Sequence, residues 1–169
     1  DVDKRELWIQ TTGRVEGRNP YYRDICRVNI DTGELTPVIS SGHEYCVERL
    51  NYFPNINRPQ QSCGIAPDAD YLVATRSRVD QEPVTMLFDR DGQCLSDIEV
   101  ADVSGLPSAW HWPEPIEVMA ADGETPLHGV LFRPSHFCED QQYPVINLIV
   151  SGPWITLAPT GSFHNSRGY

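Results

Sequence analysis

The sequence lacks features that would point to several familiar classes of protein. Its 169 residues contain no uninterrupted apolar stretch of 18 residues, so no membrane-spanning helix is predicted. The net charge is −11, whereas a nucleic-acid groove needs clustered Lys and Arg that neutralise phosphates. Hydrophobic residues make up 40% and charged residues 22%, which is typical of globular domains rather than of disordered tails. We therefore expect a folded acidic protein without a nucleic-acid partner.

The cysteines give no sign of a metal or redox centre, because no two of them form a C-x-x-C pair. The chain has five, an odd number: Cys26, Cys46, Cys63, Cys94 and Cys138. We expect most of these thiols to be small buried apolar groups. No metal and no organic cofactor is predicted. The first residues, Asp1 to Arg5, include neither an initiator Met nor the apolar core of a signal peptide, so we expect an internal piece of a longer chain.

The first hundred residues carry an internal repeat of strand, loop, strand, tight turn and strand. One copy begins "DKRELWIQTT" at Asp3, and the other begins "DADYLVATRS" at Asp68. The tight turns are "DTG" at 31–33 and "DRDG" at 89–92, and Asp and Gly suit hairpin turns because they tolerate the backbone bends needed there. A small-residue strand at 62–66 precedes the second copy and completes a four-stranded antiparallel unit of about 40 residues.

Radial repetition of such units is the β-propeller plan. A sandwich of two sheets is the alternative that the same strands allow. The repeat favours the propeller, and two blades do not close a ring. The sequence therefore predicts part of a propeller, over residues 1–112.

The strand pattern stops after Ile98. The segment "ADVSGLPSAWHWPEP" is rich in Pro, Gly and Ser around bulky aromatic residues, a composition typical of domain boundaries. We predict the border near Trp110 to Pro115 and a second domain over 113–169. Its aromatic residues could form a ligand platform, although packing at a domain seam is the commoner use of such rings.

The second domain begins with a predicted hairpin. Strands at 116–120 and 125–132 flank Asp122-Gly123, a strong local signal for a hairpin turn. Residues 143–150, "YPVINLIV", form a nearly continuous apolar run, which predicts a strand covered on both faces. A hairpin followed by a buried strand is how an α/β-hydrolase sheet begins.

These motifs together resemble the prolyl oligopeptidase family, in particular its dipeptidyl peptidase IV-like branch. The segments "WPEPIEVMAADGETPLHGVLFRPSHF" and "YPVINLIVSGP" are similar to the start of the family's catalytic domain. Upstream, "GRNPYYRDICRVNID", "SCGIAPDADYLVATRSRVDQEPV" and "DRDGQCL" resemble the branch's last propeller blades. The order of the motifs carries the resemblance, because each motif alone is weak.

The resemblance implies a serine peptidase in which a propeller limits access to short peptides. Family members use a Ser nucleophile, a His base and an orienting Asp, with the Ser on a G-x-S-x-G elbow. These 169 residues contain no such elbow, and the family order places all three catalytic residues downstream of Tyr169. The five histidines are therefore expected at turns, at the seam or on the surface. They are His43, His111, His128, His136 and His164.

One functional position of the family falls inside the chain. Members of the branch place a Tyr two residues before the Gly of the strand-end motif, where its phenol helps to hold the oxyanion. Here "LIVSGP" has Val150 at that position and Ser151 beside it, and valine has no donor. Loss of such a donor reduces rates by about a hundredfold, or about 3 kcal/mol. The branch's amine-binding Glu pair lies in earlier propeller sequence, so Glu44, Glu48, Glu114 and Glu117 are expected to be solvated surface carboxylates.

Three functions stay open at this point. The first is a piece of an active peptidase that hydrolyses short peptides. The second is a catalytically inactive relative that serves as a binding or interaction module, which Val150 suggests. The third is an esterase that uses the same chemistry on other acyl groups. Family members are often dimers, so the resemblance is also compatible with a homodimer.

Overall fold

A computed structural model describes residues 3–47, 64–149 and 158–163, and in them the protein is mainly β. These residues form nine strands in three antiparallel sheets and contain no helix, so none of the described part could cross a membrane as a helix. The chain divides into two compact units. Unit 1 comprises residues 1–77 and 83–101, and unit 2 comprises 78–82 and 102–169. The predicted division at 113 stays a prediction.

The first repeat forms a three-stranded sheet in unit 1, in the order β1-β2-β3. The turn between β2 and β3 is built as its sequence predicts, because Asn29 Oδ1 accepts hydrogen bonds from the amides of Asp31 and Thr32 and Gly33 adopts φ +72°. The strands are β1 (Glu6–Thr11), β2 (Asp24–Asn29) and β3 (Leu35–Ile39).

The second repeat forms a four-stranded sheet in the order β4-β5-β6-β7. In the turn between β6 and β7, Asp89 Oδ1 accepts hydrogen bonds from the amides of Asp91 and Gln93, and Gly92 adopts φ +84°. This turn was also predicted from its Asp and Gly. The strands are β4 (Glu44–Cys46), β5 (Tyr71–Arg78), β6 (Gln81–Asp89) and β7 (Cys94–Val100).

The strand beside β5 differs from the prediction, because it is made from two separate pieces of sequence. Cys46 pairs with Thr75 and Ile65 bridges to Leu72. Along a regular antiparallel ladder, the two residue numbers of each pair add to the same total. The total is 121 at Cys46 and 137 at Ile65, so the register shifts by 16 residues, which is the number of residues from 48 to 63. Residues 44–47 and 64–66 therefore continue one another along the same edge of β5.

Gly64 is required at this junction. Its amide donates a hydrogen bond to the Val47 carbonyl, and its own carbonyl accepts one from the Val73 amide at 2.6 Å. A Cβ at position 64 would lie less than 3.0 Å from the carbonyl oxygens of both neighbours. Of the predicted small-residue strand at 62–66, residues 64–66 lie along this edge with a single β-bridge, from Ile65 to Leu72, and form no regular strand, while Ser62 and Cys63 lie outside the described residues.

The hydrophobic core of unit 1 lies between its two sheets. The β1–β3 sheet contributes Ile25 and Ile39, which are 1% and 5% exposed, and Trp8 packs against the same cluster. The other sheet contributes one face of its strands. The members from that sheet are Tyr45, Leu72, Ala74, Val84, Met86 and Phe88.

The sheets of the two repeats pack front to back, so that opposite faces of the repeated unit contact each other. Alignment of the repeats at Asp3 and Asp68 makes Leu7 equivalent to Leu72 and Trp8 equivalent to Val73. Leu72 points into the core between the sheets and is 1% exposed. Leu7 is 54% exposed, because neighbouring strand residues point to opposite faces and its neighbour Trp8 is the one that packs on the core. In a sandwich with mirrored sheets, both leucines would point inward.

Unit 2 contains the predicted hairpin of β8 (Glu114–Met119) and β9 (Pro126–Leu131). Asp122 closes it, since Oδ1 accepts hydrogen bonds from the amides of Glu124 and Thr125, and Gly123 adopts φ +74°. The predicted buried strand at 143–150 is wrong for residues 143–149, which belong to no strand. Ile146 is 93% exposed. A strand buried on both faces needs neighbouring strands and covering layers, and within the described residues this run pairs with none.

Candidate functional site

The two residues predicted at the oxyanion position, Val150 and Ser151, lie outside the described residues. Their role stays a prediction. Among the described residues, a buried polar cluster lies in unit 1 and a half-buried one in unit 2.

A buried ion pair dominates the cluster in unit 1. Arg18 and Asp24 form two parallel N–H···O bonds of 2.7 Å, and their side chains are only 9% and 2% exposed. Arg18 also donates to the carbonyl oxygens of Tyr22 and Ser41. The Arg18 guanidinium thus links the long loop between β1 and β2 to the turn that precedes β4. Its two parallel charge-assisted bonds to Asp24 fix the relative orientation of the two side chains.

A second buried pair lies beside it, and it corrects the prediction for Glu44. This residue was expected on the surface, but it is 3% exposed. Its carboxylate accepts hydrogen bonds from the Arg23 amide at 2.8 Å and from the Arg23 guanidinium. Sequence reasoning missed this, because a lone Glu at the start of a short strand carries no local sign of a partner 21 residues away. Glu48 lies outside the described residues.

Ser41, His43 and Tyr45 form a short hydrogen-bonded chain in the same cluster. Ser41 Oγ lies 3.0 Å from His43 Nδ1 and 3.2 Å from the Tyr45 hydroxyl. A Ser–His contact is the first element of an activated nucleophile. The two buried carboxylates of this cluster, Asp24 and Glu44, form ion pairs with arginines. The Ser41 hydroxyl that contacts His43 also lies within hydrogen-bond distance of the Tyr45 hydroxyl. The arrangement is that of a structural polar network that fixes the turn before β4.

In unit 2, Arg133 connects the hairpin to the loop that follows it. Its guanidinium donates two hydrogen bonds to Glu114, one of them 2.9 Å long, and it lies 4.2 Å from the centre of the Phe137 ring. The bond from Arg133 lowers the pKa of the Glu114 carboxyl, with further lowering by the charges of Arg133 and His111. The Phe137 ring in turn contacts Tyr143 at 5.3 Å, so the loop is held onto the hairpin. Glu114 is thus paired with Arg133, while its side chain is 44% exposed, on the surface as expected.

The aromatic residues that were predicted to lie at a domain seam form a compact cluster within unit 2. Trp110 and Trp112 contact each other edge to face at 6.2 Å, and Phe163 lies 6.0 and 5.6 Å from them. Trp110 and Phe163 are 40% and 42% exposed. The rings join the segment before β8 to residues 158–163 and so pack within this unit, and the domain seam stays a prediction.

The remaining predicted residues are scattered. Of the four cysteines in the described residues, only Cys26 is buried, Cys46 is half-buried, and Cys94 and Cys138 are exposed, so the expectation of mostly buried thiols is wrong there. His111 and His136 are exposed. His128 Nδ1 lies 3.7 Å from the carboxylate of Glu117, which is 62% exposed as expected.

Over the residues that the structure describes, no group of three or more His, Cys, Asp or Glu side chains could hold a metal ion. No model of a known protein family matches the chain.

Proposed function

We propose that this chain is part of a serine peptidase of the prolyl oligopeptidase family, dipeptidyl peptidase IV-like branch. In this proposal, residues 1–112 are the last blades of a β-propeller, and residues 113–169 are the first strands of an α/β-hydrolase domain. The propeller would admit short peptides to a Ser-His-Asp site supplied by the rest of the protein, and the partner is accordingly a peptide substrate.

The front-to-back stacking of the two repeats is the observation that best supports the propeller half. Leu7 and Leu72 occupy equivalent positions and point in the same direction. Leu72 lies on the face of sheet β4–β7 that packs against sheet β1–β3. Leu7 lies on the equivalent face of sheet β1–β3, which faces away from sheet β4–β7. Such stacking is heterologous, so further copies can be added in the same way, and they form a ring where the rotation closes. Apolar residues on both faces of a sheet also require a layer on each side.

The hydrolase half depends on the order of the motifs. The β8–β9 hairpin precedes the apolar run along the chain, and this order supports the proposal. The apolar run that follows is exposed at Val145, Ile146, Leu148 and Ile149. A covered strand in the complete protein would account for four large apolar residues within five positions, whose exposure to water is unfavourable.

Two measurements on the complete protein test the proposal. The longer sequence should contain a G-x-S-x-G elbow after a buried strand, followed by an Asp and a His in that order. A fluorophosphonate probe should label that Ser, and replacement of this Ser by Ala is the control that should abolish the labelling. A complete sequence without the elbow, or without a later His, would end the peptidase assignment.

The second candidate is an inactive relative that acts as a binding module, and Val150 favours it because valine offers no donor to an oxyanion. An intact elbow that the probe does not label would support this candidate. Labelling accompanied by turnover of simple esters, with no turnover of dipeptidyl amides, would indicate an esterase.

A further inference from the structure

Three aromatic side chains of unit 2 form a cluster that stays open to solvent. The centre of the Phe163 ring lies 6.0 Å from that of Trp110 and 5.6 Å from that of Trp112, and the two indoles stand at 85° to each other. Trp110 and Phe163 are 40% and 42% exposed. The rings therefore contact one another without being buried, so part of their π surface can contact a ligand.

Phe163 takes its place in this cluster with an unfavourable backbone conformation. Its φ is +54°, in the left-handed region, where a bulky side chain is an outlier. Burial does not offset this strain, because Phe163 is 42% exposed. Strained residues of this kind are concentrated at active sites and ligand clamps, and this makes the Phe163 ring a candidate contact for a ligand.

Two other aromatic rings of the chain are covered by its own arginines. Arg133 lies 4.2 Å from the centre of the Phe137 ring, and Arg27 lies 5.7 Å from that of Trp8. Within the described residues, no such cation lies over the three rings of the cluster. The face of an aromatic ring attracts cations, and that of Trp attracts them most strongly. The cluster thus offers the surface that a cation prefers, and the described part of the chain does not supply the cation.

The charge around the two tryptophans also favours a cation. From residue 102 to residue 132 the chain has five carboxylates and neither Lys nor Arg. The next cation along the chain, Arg133, already forms an ion pair with Glu114. The summed field of such an acidic surface attracts cations and repels anions, so the charge of this region is complementary to a positively charged ligand.

We propose that the cluster of Trp110, Trp112 and Phe163 binds a small organic cation of the alkylammonium class. The alkyl groups of such a cation contact the rings by van der Waals attraction, while its charge is attracted by their π electrons. A metal ion does not fit, because over the described residues no group of three or more His, Cys, Asp or Glu side chains could hold one. The site depends only on the rings and the charge of unit 2, so it stands or falls independently of the peptidase proposal.

The test uses the full 169-residue chain and choline as the probe, at constant ionic strength. Saturation-transfer NMR should show contact between the choline methyl groups and aromatic protons, and the Trp110 indole N–H should shift and saturate as choline is added. The matched control is 3,3-dimethylbutan-1-ol, which has the shape of choline without its charge. Its affinity should be lower by about tenfold. Equal affinity for the two compounds, or no binding of choline, would overturn the proposal.

Two substitutions show whether these rings form the site. Trp110→Leu and Phe163→Leu each keep an apolar side chain but remove a π face, so each should weaken choline binding by about tenfold. Circular dichroism checks the fold, and the exposed position of Phe163 makes its variant the safer of the two. The control is Phe137→Leu, which should leave the affinity unchanged because Arg133 already covers that ring. Unchanged affinity in a folded Phe163→Leu variant, or an equal loss in Phe137→Leu, would assign the binding elsewhere and refute the proposed site.

Discussion

Gly92 and Val38 approach each other so closely that a Cβ at position 92 would lie less than 3.0 Å from the Val38 carbonyl oxygen. This contact places the β6–β7 turn against the edge strand of the other sheet. Gly92 also has φ +84°, a conformation that L-residues avoid. Two separate physical reasons therefore require glycine at this position.

We predict that Gly92→Ala lowers the free energy of unfolding by about 2–4 kcal/mol, from left-handed strain of about 1–2 kcal/mol and overlap with backbone of a similar size. Urea denaturation followed by circular dichroism measures the change. Gly33→Ala separates the two terms, because Gly33 has φ +72° with nothing within 4 Å of its Cβ position. Gly42→Ala controls for both terms. Equal losses at positions 92 and 33 would show that the Val38 contact contributes nothing.

The turns were predictable from sequence, because the chemistry that makes them is local. At 29–33, 89–92 and 122–125, a side-chain oxygen accepts amides two to four residues away and a glycine takes the left-handed conformation. Strand β4 and the Arg23–Glu44 pair were not predictable, because each depends on contacts between residues that are distant in sequence. The polarity of a residue says nothing about a partner that is distant in sequence.

The ion pair between Arg18 and Asp24 should be the most sensitive polar contact of unit 1. Asp24→Asn keeps the shape of the side chain but leaves the Arg18 charge buried without its counter-charge. We expect the free energy of unfolding to fall by about 3–5 kcal/mol. The control is Asp31→Asn, which removes the partner of Arg5 in a pair whose side chains are 52% and 57% exposed. Its effect should be too small to resolve, and a comparable loss for both variants would contradict the argument.

Asp122 should give the hairpin of unit 2 an acid-sensitive turn. The Thr125 hydroxyl, followed by the amides of Thr125 and Glu124, lowers the pKa of Asp122 from 3.8 to about 2. A carboxyl with a lowered folded pKa stabilises the fold above its unfolded pKa, and this contribution disappears as the pH falls through the folded value. The turn should therefore weaken between about pH 4 and pH 2.

The carboxyl carbon shift of Asp122 in an NMR titration measures this pKa directly. Thr125→Val removes the largest cause, so the midpoint should move upward toward 3.8. Thr32→Val, which is in the β2–β3 turn, is the control and should leave the Asp122 midpoint unchanged. A midpoint near 3.8 in the unaltered chain would mean that the Asp122–Thr125 bonds do not persist in solution.

Leu7 and Leu72 provide the sharpest test of how the repeats stack. Because Leu72 is 1% exposed within the core, Leu72→Ala should remove about 2–5 kcal/mol from the free energy of unfolding. Because Leu7 is 54% exposed, Leu7→Ala should change it by about 0.5 kcal/mol or less. Both values come from denaturation of the 169-residue chain. A mirrored sandwich would make the two losses similar. In the complete protein, a neighbouring sheet that covers Leu7 would raise the loss for Leu7→Ala toward that for Leu72→Ala, and an unchanged small loss there would count against a further blade on that face.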